Sequence, residues 1–420
     1  SSDVCSSDLE DNRGTERYDA NGIAGVLEKK LLYSFGNWIQ WQSFSDPFEN
    51  ELTENTLGLY RADRTATASV GVTRLLSWIE GKTHSLMSGR NEDAVEILTL
   101  HPTNYYFSVD RNLASQGIRS HILALHYHLK MQSDMVLEHL FKADNLSQIG
   151  KPKLIILPAA QMLSEATWTL LKQYISMGKT VLISGTVDVD NYWRKATRFC
   201  DLGIMAEVKP IFSEERLHIG DYSFNASFRK ITAYADPAHT INKASYLNGK
   251  DNLVRVFNIG KGKLIHCPLP LELSDSIEPL AELYRFAIKE AGITNTICKI
   301  NEIDTKPNLM VYPIPYENCT VYTIVNEGED DSINFTDLAS GAEIKMNVKG
   351  QRGCKIWIDK KGKLLGAYIH DVLSVNGLEV IPNGDLSIFK ENNSWVYIAG
   401  KRMKNNISIG SCYIDVDIIL

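Results

Sequence analysis

Changes in the period at which apolar residues recur divide this chain. Between residues 66 and 80, Val70, Leu75, Leu76, Trp78 and Ile79 stand at roughly helical spacing, and Gly81 is placed to stop the helix. Ahead of it residues 38–43 alternate, with Trp38, Gln40 and Gln42 on one face and Ile39, Trp41 and Ser43 on the other, which is the period of a strand. A long acidic loop separates the two, so residues 20–80 are expected to run helix, strand, long loop, helix. Residues 82–92 are polar and aperiodic and read as a linker.

From residue 94 the pattern becomes strand and helix in alternation. Residues 94–100 are strand-like, 105–116 helical up to Gly117, and 121–125 form another apolar run. Residues 153–157 (Lys-Leu-Ile-Ile-Leu) predict a buried strand, Ser164 caps a helix through Ile175, Gly178 closes it, and 180–184 predict the next strand. A pair of strands around Gly260-Lys261-Gly262 and a helix over 277–291 finish the region. Such alternation with short connections predicts a doubly wound parallel sheet. Beyond Asn295 helical periodicity disappears: 318–325, 343–348, 354–358 and 364–369 read as short strands, with a hairpin at 359–362, which predicts a β-sandwich of ~125 residues.

Composition narrows the class. The 420 residues exceed one core, and 44% hydrophobic with 23% charged residues is the balance of a globular protein. A formal charge of −7 without a basic stripe argues against nucleic acid as a partner, and no apolar run is long enough to span a bilayer. No secretory signal begins the chain. The seven cysteines lack Cys-x-x-Cys spacing and read as buried free thiols, not a zinc site or a disulfide framework, and no metal or other cofactor is expected. His126 and His128 are read as a surface pair, and Gly260-Lys261-Gly262 as a tight turn instead of a phosphate loop. Residues 1–9 are a near-duplicated polar string without folding logic; they are set aside as a sequence artefact, with upstream sequence expected to be missing.

The chemistry concentrates between Trp38 and Asp63. An indole where a strand enters an acidic loop suits a pyranose ring, whose C–H face packs on the aromatic while carboxylates take the hydroxyls. Trp41 and Glu54 are the primary candidates, Asp46 and Glu49 the secondary ones; the same residues also fit core filling and a solvated loop. Glu16 is the one nearby carboxylate that fits a nucleophile, although no apolar strand precedes it.

Helix, strand, long loop and helix is how a (β/α)₈ barrel ends, and such barrels carry their chemistry in the loops after the strands. Ile39-Gln40-Trp41-Gln42-Ser43 and Glu54-x-x-x-Gly58 resemble the last barrel strand and following loop of family 42 glycoside hydrolases, the β-galactosidases, with Leu57 where that family has His. Residues 91–293 resemble the second domain of the same enzymes, flavodoxin-like and related to class I glutamine amidotransferases, through Lys153-Leu-Ile-Ile-Leu-Pro158, Gly178-Lys-Thr-Val-Leu-Ile-Ser184 and Gly260-Lys-Gly-Lys-Leu-Ile265. The resemblance implies an α/β chain of three parts: the last βα portion of a barrel over 10–81, an amidotransferase-like domain over 91–293, and a small β-sandwich over 295–420.

It further implies a galactoside or oligosaccharide substrate, a retaining mechanism on two carboxylates that both lie upstream of this chain, and a homotrimer assembled through the middle domain. Two other classes stay open. A non-catalytic carbohydrate-binding or assembly module needs only the aromatic platform. An amidotransferase needs a Cys on the turn after a buried strand, where this chain has Gly185-Thr186-Val187.

Overall fold

The computed structural model describes residues 20–33, 59–60, 64–91, 94–101, 111–143, 151–192, 194–196, 198–233, 241–247, 252–295, 297–300, 306–400, 405–409 and 412–416. It is a mixed α/β chain that divides into two compact units. One joins Ser1–Asn91 to Thr296–Leu420, and the other is Glu92–Asn295.

In the first unit, helices α1 (Ala20–Tyr33) and α2 (Ala68–Thr83) precede the other unit in sequence. The helical spacing of 66–80 is realised in α2, which buries Val72, Leu75, Leu76 and Ile79.

The Glu92–Asn295 unit is built on a sheet of order β2-β1-β3-β4-β10-β9, formed by β1 (Ile97–His101), β2 (Asp134–Leu137), β3 (Leu154–Leu157), β4 (Thr180–Ser184), β9 (Arg255–Ile259) and β10 (Gly262–Cys267). All neighbours are parallel except β9, which runs antiparallel to β10. Strand alternation divides the apolar residues between two faces. Ile155, Val181, Ile183 and Leu264 pack on one side with Trp168, Leu171 and Ile175 of α4 (Glu165–Ser176). Leu154, Ile156, Leu182 and Ile265 pack on the other with Leu280, Leu283 and Tyr284 of α6 (Glu278–Glu290). Gly262 is forced: a Cβ there would strike the carbonyl oxygens of Ile175 and Lys179, so only glycine lets β10 run this close to the end of α4.

The apolar run at 121–125 is not a strand. It ends α3 (Arg111–Ile122) and enters a π-helical turn over Leu123–His128. That turn carries His126 into the interior, which corrects the surface placement expected for it; His128 is half-buried. Two antiparallel ribbons complete the unit, β5 (Ala206–Pro210) with β8 (Asn242–Tyr246) and β6 (Glu214–Ile219) with β7 (Tyr222–Ser227).

The rest of the first unit is two antiparallel sheets, of six and seven strands, closing on one apolar core. β15 (Glu343–Val348) shows the one-sided alternation of a sheet facing water, with Ile344, Met346 and Val348 inward and Glu343, Lys345 and Asn347 outward. β13 (Cys319–Asn326) in the six-stranded sheet is buried along its whole length, because α1 and α2 cover that sheet's outer face. Leu32 lies so near the backbone of β16 (Gly353–Asp359) that a Cβ on Gly353 would collide with it.

The fastening is ionic. Glu28 of α1 is completely buried and accepts hydrogen bonds from Arg352 Nε (2.8 Å), the Gly353 amide (2.6 Å), the Tyr368 hydroxyl (2.8 Å) and His370 Nε2 (3.0 Å). Asp385 closes the ring, 2.9 Å from His370 Nδ1 and 3.1 Å from Arg352 Nη2. Burial would raise the Glu28 carboxyl, but His370 and Arg352 outweigh it and hold it below the usual range; Asp385 is lowered by the same partners against the same opposition. Burial would lower His370, and the two carboxylates raise it instead.

The carboxylate contribution to stability is therefore present above the ordinary carboxyl range and lost as pH falls through the lowered native values. The histidine contribution is present below the ordinary imidazole value and lost as pH rises through the raised one. Stability of this unit, read from amide exchange in residues 353–370, is expected to be greatest between about pH 4.5 and 6.5. His370→Gln should remove the alkaline loss, and Glu28→Gln should cost about 3–5 kcal/mol by stranding a buried cation. A wild-type profile flat from pH 4 to 9 would show that the ring does not hold the unit together.

Candidate functional site

Open α/β sheets bind ligands in the crevice beyond the carboxyl ends of their strands, where the strand order reverses. In the Glu92–Asn295 unit that reversal lies between β1 and β3. The residues collected there are polar and sealed. Glu272, on a single 3₁₀ turn over Leu271–Leu273, accepts from the Ala159 amide (2.9 Å), Ser184 Oγ (2.6 Å) and the Tyr284 hydroxyl (2.8 Å). His121 continues the chain, 2.8 Å from the Tyr284 oxygen through Nδ1 and 2.8 Å from Thr99 Oγ1 through Nε2. His266 is held separately, between the Tyr246 hydroxyl (2.7 Å) and the Gly185 carbonyl (2.9 Å).

Burial sets the protonation of these groups. It raises the carboxyl of Glu272, lowers His121 well below its ordinary range, and lowers His266 to about 4. Each histidine is thus neutral at pH 7, one ring nitrogen donating and the other accepting. Glu272, Ser184, Tyr284 and His266 have no exposed surface at all. The arrangement ties the strand ends together from within.

The same strand ends bear on nucleophile chemistry. Two turns carry non-glycine residues at positive φ, Ala159 after β3 (φ 45°) and Val187 after β4 (φ 40°). A strained turn of this kind is where an amidotransferase-like sheet would display a thiol. Here the residues are Ala and Val. Cys267 lies at the end of β10, its thiol pushed up by burial and thereby inert, whereas Cys200 is exposed on a 3₁₀ turn.

The sugar-site candidates Trp41, Asp46, Glu49 and Glu54, and the carboxylate Glu16, lie outside the described residues. The end of their loop is described: Leu59 accepts from the Thr67 amide (2.9 Å) and hydroxyl (3.0 Å), and Tyr60 bridges Ala66, which ties the loop's exit to the start of α2. Among the described residues no cluster of His, Cys, Asp and Glu is arranged for a metal, and no helix is long and apolar enough to cross a membrane. Pattern reading missed the Glu272 knot. Its only trace is a carboxylate inside the apolar run Leu269-Pro270-Leu271-Glu272-Leu273.

No protein-family model matches the sequence, and no curated protein does. Solved structures do. A catalytic mutant of Gan42B, a GH42 β-galactosidase from G. stearothermophilus, matches with TM-score 0.51 at 14% identity, covering 75% of this chain and 47% of its own. The β-galactosidase from Bacillus circulans sp. alkalophilus matches with TM-score 0.51 at 12% identity, covering 75% and 49%. The fold is that of part of a GH42 β-galactosidase. This chain spans about half the length of those GH42 enzymes. At such identities the likeness to GH42 is one of backbone architecture.

The thiols provide a direct check. Brief alkylation of the native chain is expected to label Cys200 and to leave Cys267, Cys298, Cys319 and Cys354 unmodified until denaturant is added. Labelling of Cys267 at native pH, mapped by mass spectrometry, would show the end of β10 to be open.

Proposed function

We propose that the chain is the later part of a retaining glycoside hydrolase that removes terminal β-linked galactose or a related sugar. The observation that carries this reading is the architectural likeness to GH42 β-galactosidases over three quarters of the chain. The Trp38–Asp63 passage supports it independently, since an indole beside an acidic loop is what a pyranose site requires.

In this reading residues 10–81 close a (β/α)₈ barrel, 91–293 form an amidotransferase-like domain, and 295–420 the β-sandwich. The two catalytic carboxylates that this reading requires are not assigned among residues 10–81. Trp41 stacks on the non-reducing sugar, Glu54 accepts from its ring hydroxyls, and Asp46 and Glu49 line the same loop. The middle domain works as a scaffold for a homotrimer. Exposed apolar residues Met135, Leu137 and Leu140 on and beside the edge strand β2 support an interface there. Ala159 and Val187 at the strained turns weigh against amidotransferase chemistry.

The test uses the enzyme with its upstream sequence restored. Trp41→Ala should lower kcat/KM at least fivefold with folding retained, as expected for loss of a stacking contact of about 1 kcal/mol. Glu54→Gln should cost roughly 1.5–3 kcal/mol, the range of a charge-assisted hydrogen bond. The double variant should lose less than the sum if both residues hold one ring. Unchanged kinetics for Glu54→Gln, with a destabilised but fully active Trp41→Ala protein, would return the two residues to solvent and core.

A further inference from the structure

Beside the sealed knot, at the carboxyl end of β4, a cavity of about 370 Å³ stays open in the Glu92–Asn295 unit. We propose that it is an accessory site for a neutral sugar of about one galactoside unit, built from residues other than Trp41 and Glu54. The choice of sugar depends on the glycosidase reading above; the existence of the site follows from its own geometry.

One wall is the segment after β4, closed on itself. The Asp190 amide donates to the Arg194 carbonyl (2.9 Å) and the Ala196 amide to the Asp188 carbonyl (2.7 Å). Arg198 braces it from beneath: Nη1 donates to the carbonyls of Val187 (3.2 Å) and Val189 (2.9 Å), and Nη2 to that of Leu163. Arg198 is only 2% exposed, and its Nε–H has no acceptor among the described residues. Arg198 thus holds the shape of the wall from behind, through the carbonyls it engages. Asp188 takes the Thr186 hydroxyl on one oxygen, and the Lys195 ammonium has no partner among the described residues. The facing wall is apolar, from Ala206 and Val208, two residues apart on β5 and so on one side of that strand. Phe199 is fixed at the rim by its ring against His266, 4.2 Å between centroids.

The charge pattern selects the ligand. The charges at the cavity are already engaged or opposed: Arg198 lies 3.9 Å from Glu165, Glu207 lies 3.4 Å from Lys209, and Lys195 stands with Asp188 among the lining residues, so neither an isolated anion nor an isolated cation meets an unopposed counter-charge. A polyol escapes both penalties, because its hydroxyls donate to Asp188 and accept from Lys195 while its C–H face lies along Ala206 and Val208. A volume of this size lies within the range of roughly 300–1,000 Å³ typical of small-molecule pockets.

The experiment titrates methyl β-galactoside into the 420-residue chain carrying Trp41→Ala and Glu54→Gln, so that only this second site is read, by calorimetry and by the methyl resonances of Ala206, Val208 and Ala244. Saturable binding in the millimolar range is expected, with shifts at those methyls. It should weaken at least tenfold in Ala206→Trp, which fills the cavity, and in Asp188→Ala, with unchanged thermal melting. The methyl shifts locate binding in the unsubstituted chain too, so the test does not depend on any variant folding. Absent methyl shifts, binding indifferent to Ala206→Trp, or preference for sodium propionate or glycine over the galactoside would each overturn the proposal. Hydrolysis by the full-length enzyme without binding here would remove this inference alone. Binding here beside a full-length enzyme inert to β-galactosides would remove the glycosidase reading and leave the site.

Discussion

A carboxylate with no access to water must have its charge compensated in place, and Glu28 is compensated by four donors that the chain supplies from Arg352, Gly353, Tyr368 and His370. That requirement sets where α1 can sit on the six-stranded sheet. With α1 fixed, Leu32 is pressed onto Gly353 and the outer face of the sheet is removed from solvent. Lys29 and Tyr33, one and five residues further along the same helix, both reach Glu327 and extend the contact. Lys355, directed at Glu80 of α2, repeats the device at the second helix.

The Glu92–Asn295 unit meets the same problem with neutral chemistry. Glu272 is as deeply buried as Glu28, but among the described residues no cation stands beside it; its partners there are an amide and two hydroxyls, and burial favours its protonated form. The result is a plug across the carboxyl ends of the parallel strands. A cavity lies to one side, where the segment after β4 leans on Arg198 instead of on the plug.

Much of the fold was legible because local period and burial agree. Residues 153–157, 180–184 and 343–348 were readable as strands since their apolar pattern matches the faces they bury, and α2 lies where the 66–80 spacing placed a helix, although it runs through Gly81, expected to stop it, to Thr83. Reading failed where distant groups decide. The apolar run 121–125 has the composition of a strand, yet it continues a helix because its side chains pack toward α6, and His126 goes inward with it. β13 looks half-exposed by alternation and is buried on both sides because α1, from a distant part of the chain, packs on it. Glu28 sits among charged neighbours that resemble a solvated face, and nothing local points to a partner 324 residues away. Ribbons such as β6 with β7 carry mostly polar residues and little periodic signal. As for the candidate sugar site, Trp41 and Glu54 were found by residue chemistry alone and fall outside the described residues.

The span between Glu28 and Arg352 also has a meaning in time. A ribosome adds residues at about 5–20 per second, so α1 leaves it roughly 15–65 s before the strand carrying its counter-charges exists. Throughout that interval a complete α/β unit can fold between the two halves of the other. The amphipathic helices 20–33 and 68–83 meanwhile wait with their apolar faces uncovered. Vectorial synthesis therefore makes this discontinuous unit the last to be completed, and a nascent chain stalled before residue 350 would carry the intervening unit flanked by an unfinished partner.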